Sequence, residues 1–133
     1  MIVDTSALIA IVKMEPEAYS IAKAMEKAET LRISAGTLLE AFIVADGYGI
    51  PKLSARLEEI VEHPRMVIEP VTAAQAKIAR QAYRDYGRRS GHSANLNFGD
   101  CFSYALARDK REPLLYKGDD FVYTDLRSAV EQP

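Results

Sequence analysis

Met1-Ile2-Val3-Asp4-Thr5-Ser6-Ala7-Leu8 opens the chain. Two apolar strand-formers followed by three residues that each favour a helix cap read as a short buried strand running into a helix. The pattern recurs downstream. Leu31–Ser34 alternates as a strand before an apolar helix over 37–48, and Met66–Glu69 reads as a strand before a long helix over 72–89 with a Thr cap. A helix over 99–109 leads to a last strand over 113–116. Residues 7–14 are expected as a helix stopped near Pro16, 17–28 as an amphipathic helix, and 52–63 as a helix with the stripe Leu53, Leu57, Ile60 and Val61. Residues 90–98 read as a polar loop, and the tail from Asp119 as loop with room for a short helix. Short apolar strands alternating with helices specify an α/β fold: a parallel sheet of about four strands covered on both faces. In such sheets reactive groups gather beyond the carboxyl ends of the strands.

A length of 133 residues fits one domain, 1–133, with enough core to need no staple. The single cysteine, Cys101, excludes a disulfide scaffold and suits a reducing compartment. The apolar start carries Asp4 and no basic region before it, unlike a signal peptide, and no apolar run approaches a membrane span. The expected location is the cytoplasm. The net charge of −2 excludes a wholly basic nucleic-acid coat protein. It is unevenly spread: residues 71–111 hold 8 basic and 3 acidic residues, against 7 and 11 in 1–70 and 2 and 5 in 112–133.

Five acids stand where this fold collects chemistry. Asp4 follows the first strand, and its bland role is a helix cap that Thr5 or Ser6 could fill equally well. Glu40 lies among apolar neighbours in the expected first turn of its helix, facing either solvent or a polar centre. Asp100 starts a helix, where its charge complements the dipole. Asp119 and Asp120 follow the last strand and read alternatively as an acidic turn. Brought to one sheet edge, such carboxylates repel unless a cation neutralises them. Hard oxygen donors select magnesium or manganese, ions that activate water for attack on a phosphodiester.

These segments carry a resemblance. The opening stretch 1–8, then Asn97-Phe98-Gly99-Asp100-Cys101-Phe102-Ser103-Tyr104-Ala105-Leu106-Ala107, then Leu114-Leu115-Tyr116-Lys117-Gly118-Asp119-Asp120-Phe121 with Thr124-Asp125, resemble in order and spacing the motifs of PIN-domain proteins. The likeness is to the VapC toxins of toxin–antitoxin pairs, and it spans the chain. It implies a PIN-like three-layer sandwich and a metal-dependent ribonuclease acting on structured RNA such as transfer RNA. It implies Asp4, Glu40 and Asp100 as magnesium or manganese ligands, with Asp119 completing the site and Asp120 second in line. Thr5 and Ser6 would orient Asp4. A homodimer is implied, neutralised by a VapB-type antitoxin in a heterotetramer or larger assembly.

The positive surplus also has a place. Arg80, Arg84 and Arg88 are spaced to form one ridge of the helix expected over 72–89, with Lys77 and Arg89 beside them and Tyr83 and Tyr86 interleaved. This is either a solvated face or a phosphate track leading RNA to the acids. Zinc is not expected, since His63 and His92 lack ligand spacing. No phosphate-binding loop or G-x-S-x-G elbow is present, and Cys101 reads as a small core residue. A PIN-like module that binds RNA or a partner without cutting would usually have lost an acid, and here all are present. A phosphoryl acceptor at Asp4 would want a second acid close by, which Thr5-Ser6 does not supply.

Overall fold

The computed structural model describes residues 1–130. Residues 131–133, the end of the expected domain and of its tail, lie outside this range. Strands β1 (Ile2–Val3), β2 (Leu31–Ser34), β3 (Met66–Glu69) and β4 (Leu114–Leu115) alternate with helices α1 (Thr5–Val12), α2 (Ala18–Lys27), α3 (Ala35–Gly47), α4 (Pro51–Val61), α5 (Ala73–Tyr86) and α6 (Phe98–Lys110). The four strands form one sheet of order β3-β2-β1-β4, and every pairing is parallel. The expected α/β sandwich is present.

Side-chain alternation assigns the two faces. Val3, Leu31, Ile33 and Leu115 point into a core built with α1 to α4, where Leu8, Val12 and Leu57 are fully buried. Each such side chain contributes about 1.5–3 kcal/mol of burial. Ile2 and Leu114 point the other way, toward Ala82 of α5 and Tyr104, Leu106 and Ala107 of α6. The strand order runs outward from β1 to β3, then reverses to place β4 on the other side of β1. The crevice of such a sheet opens at that reversal, beyond the ends of β1 and β4.

Several boundaries differ from expectation. α1 begins at Thr5 because Asp4, not Thr5 or Ser6, supplies the cap. α3 begins at Ala35, capped by Ser34, so Glu40 falls in its second turn. α5 ends at Tyr86, because Gly87 is extended (φ −71°, ψ 165°) and bridges to Leu96. Arg88 and Arg89 therefore leave the helix, and the expected ridge shortens to Arg80 and Arg84. The tail after Gly118 makes turns in place of a short helix.

Candidate active site

Asp4 leaves β1 and caps α1, which buries it to 3% exposure. Its Oδ2 accepts from the Ser6 backbone N–H at 3.0 Å and the Ser6 hydroxyl at 2.6 Å. That hydroxyl accepts in turn from the Lys117 N–H, 2.9 Å away beyond β4. Oδ1 accepts from the Ser103 hydroxyl of α6 at 2.5 Å. Asp4 is thereby tied to three elements at once.

Thr5 turns to a different acid. Its hydroxyl donates to Glu40 Oε1 at 2.5 Å, so it orients Glu40 and not Asp4 as the resemblance implied. Glu40 reaches across to the first turn of α6. A Cβ at residue 99 would overlap its Oε2, so only glycine there admits the carboxyl. Burial and the negative charge of Asp4 push the Glu40 pKa up, against the Thr5 bond.

Asp100 is the third residue of α6 and forms a capping box. The Asn97 side chain accepts from the Asp100 N–H, and Asp100 accepts from the Asn97 N–H at 3.0 Å. The residue is 7% exposed. Burial, with Asp4 and Asp120 nearby, raises its pKa to about 8. Of the two acids after β4, Asp120 is the one whose carboxyl reaches Asp100. Asp119, the acid preferred from the sequence, precedes Asp120 in the turn after Gly118 (φ +95°).

Electrostatics sets this cluster apart. Asp4 and Asp100 are the only buried acids among the described residues. Neither they nor Glu40, Asp119 and Asp120 form an ion pair there. Elsewhere partly buried acids are matched: Glu69 and Glu112 flank Arg32 at 2.7 and 3.0 Å, and Glu15 pairs with Lys117. A charge left uncompensated in the interior is costly unless it is neutralised from outside or by a proton. The donors are hard oxygens held by hydroxyls and backbone amides, the chemistry of magnesium and manganese sites. Soft donors are turned away: the Cys101 thiol donates to the Asn97 carbonyl and its pKa is raised by burial, to about 11. Among the described residues no three His, Cys, Asp or Glu side chains are gathered closely enough to hold a metal ion by themselves. An ion held here would keep much of its water, as magnesium prefers.

The PIN domain family profile matches residues 1–126. The chain belongs to the PIN-domain family, in its VapC branch. It is 52% identical over 132 residues to ribonuclease VapC28 of Mycobacterium tuberculosis, covering 99% of both chains. To ribonuclease VapC42 of the same species it is 46% identical over 129 residues, covering 97% of this chain and 98% of the other. Among solved structures it shares the fold of M. tuberculosis VapC20, described as a sarcin–ricin loop cleaving toxin, with TM-score 0.76 at 20% identity over 98% of each chain. A toxin–antitoxin complex from Klebsiella pneumoniae gives a TM-score of 0.69 at 20% identity, covering 93% of this chain and 92% of that one.

In this PIN domain Asp4, Glu40, Asp100 and Asp120 converge on the sheet edge; Asp119 and Asp120 are both exposed there. Arg80, Arg84, Arg88 and Arg89 are all exposed. Arg80 lines a groove of about 400 Å³ with Tyr83, Phe98 and Phe102, between α5 and α6. Sequence reasoning missed Ser103 and Thr37. Each lies three residues from a site acid on the same helix face, Ser103 after Asp100 and Thr37 before Glu40, and that spacing was the available signal.

Proposed function

We propose that this protein is a magnesium- or manganese-dependent endoribonuclease toxin that cuts structured RNA, transfer RNA first among candidates, and is neutralised by a VapB-type antitoxin. One observation carries the reading: a PIN fold whose two buried carboxyls have no cationic partner among the described residues, with hydroxyls holding Asp4 and the Asn97 N–H holding Asp100. Asp4, Glu40 and Asp100 would hold the ion, with Asp120 at the rim. When bound, the ion supplies an activated water and neutralises the phosphate's charge. The chain's own groups do the positioning. Ser6 and Ser103 fix Asp4, Thr5 fixes Glu40, and Asp100 gives up its proton as the cation arrives. Arg80 and Arg84 offer phosphates a cationic approach outside the acidic centre. The antitoxin rests on the family and on neighbours solved as toxin–antitoxin complexes, including VapBC2 of Rickettsia felis, bound to promoter DNA.

The test is cleavage of purified transfer and ribosomal RNA with magnesium, manganese or EDTA. Cleavage should stop in chelator and return with either metal. Asp4→Ala and Asp100→Asn should each lower the rate on the order of 1000-fold or more while remaining folded by circular dichroism. Cleavage that persists in EDTA removes the metal mechanism, and full activity in either variant removes the site.

A further inference from the structure

We propose that Ser103, backed by Thr37, is a positioning residue that aims Asp4 Oδ1 at the bound cation. The proposal rests on the metal-dependent reading above and deepens it. The Ser103 hydroxyl has one hydrogen, and it goes to Asp4 Oδ1 at 2.5 Å. Its 3.0 Å contact with Thr37 Oγ1 must then run the other way, with Thr37 donating to Ser103. The result is a directed chain from Thr37 on α3 through Ser103 on α6 to Asp4 beyond β1. Its last bond is charge-assisted, and the bond behind polarises it further.

A carboxylate offers about four acceptor positions. Ser6 fills two on Oδ2 and Ser103 fills one on Oδ1, which leaves one direction open on Oδ1. Ser103 fixes that direction. Both hydroxyls are fully buried, with Cys101, Ala105 and Ala107 near Ser103 on α6. A small apolar side chain would fill such a position without the cost of desolvating a hydroxyl. Their shared feature is the line they make to Asp4.

The experiment measures manganese binding to the full-length protein by isothermal titration calorimetry, with electron paramagnetic resonance of bound Mn²⁺ and melting temperature alongside. Ser103→Ala should weaken Mn²⁺ binding about 10- to 100-fold and change the resonance of the ion that remains bound. Thr37→Val keeps the Ser103 bond and removes its polarising donor, so it should weaken binding about threefold. Thr37→Ser, which retains the hydroxyl, should bind as the wild type does. A folded Ser103→Ala protein that binds Mn²⁺ within about twofold of wild type overturns the proposal, whatever its melting temperature. If Ser103→Ala does not fold, Thr37→Val decides, and unchanged affinity there overturns it. A wild-type protein that binds no Mn²⁺ overturns the metal reading itself, an outcome distinct from equal binding by wild type and variants.

Discussion

The surroundings of Asp100 favour its protonated form. Burial is the largest cause, and the charges of Asp4 and Asp120 add to it against the bond from the Asn97 N–H. A folded-state pKa of about 8 lies well above the ordinary 3.8. Between those values the folded chain keeps a proton that the unfolded chain releases. The stability from this residue is therefore complete below about pH 4 and is lost as pH rises toward 8. In metal-free protein above pH 8, Asp100→Asn should stabilise by about 1–3 kcal/mol, since the amide keeps an acceptor for Asn97 without the buried charge. Thermal melts in EDTA should show that variant about 5 °C above wild type at pH 8.5 and level with it near pH 4. Equal melting temperatures at both pH values would remove the raised pKa. At this scale the sequence shows Asp4 after a strand, Asp100 at a helix start and Glu40 among apolar neighbours, and those positions are what makes the three acids stand out. It does not show which hydroxyl reaches which acid. Thr5 and Ser6 are neighbours in the chain, yet the roughly 100° between successive helical residues sends them to Glu40 and Asp4 respectively. Asp119 and Asp120 are adjacent and both exposed, and only the folded arrangement shows that Asp120 reaches Asp100.

Among the elements, β1, β2 and β3 lie where the apolar pattern puts them, β1 and β2 as largely buried strands and β3 as an edge strand that leaves Val67 and Ile68 exposed. The helix ends were less legible, since the competing caps at Asp4, Thr5 and Ser6 are resolved only by tertiary bonds. α5 shows the consequence for function. Its periodicity continues through Arg88 in the sequence, but the bridge between Gly87 and Leu96 takes the chain out of the helix. Arg80 and Arg84 remain one turn apart on α5, and Arg80 faces the groove beside Phe98 at the start of α6. Arg88 and Arg89 sit on the following loop. Replacing Arg80 and Arg84 together with alanine should weaken RNA binding and flatten the dependence of log affinity on log salt by about 1.4–1.8. Replacing Arg88 and Arg89 should change the slope less. Filter binding of a catalytically silent Asp4→Asn background across a salt series reads both, and an unchanged slope in the first pair would return α5 to an ordinary solvated face.

For the whole molecule the net charge of −2 is the cancellation of an acidic centre against a cationic middle, and it says little about partners alone. The apolar surface says more. α3 buries its small residues, Thr37, Ala41 and Ala45, and turns Leu39 and Ile43 outward at 63% and 62% exposure. A lone helix would bury the large residues first, so this inversion was invisible to a hydrophobic stripe read from sequence. Phe98, 77% exposed, stacks edge-on against Phe102, whose ring lies against Gly36 at the start of α3. Leu39 and Ile43 on α3 and Phe98 on α6 are thus exposed apolar side chains on the helices that also carry Glu40 and Asp100. Large exposed apolar patches mark contact surfaces. We propose that the homodimer expected from the sequence places these residues of two copies against each other around a twofold axis. A Leu39→Asp, Ile43→Asp double variant puts two charges on each side of that contact and leaves the buried side of α3 untouched. Light scattering at micromolar concentration should then report a dimer for the wild type and a monomer for the variant, with unchanged circular dichroism. A wild-type monomer, or a variant that still dimerises, would assign the two copies a different surface or none.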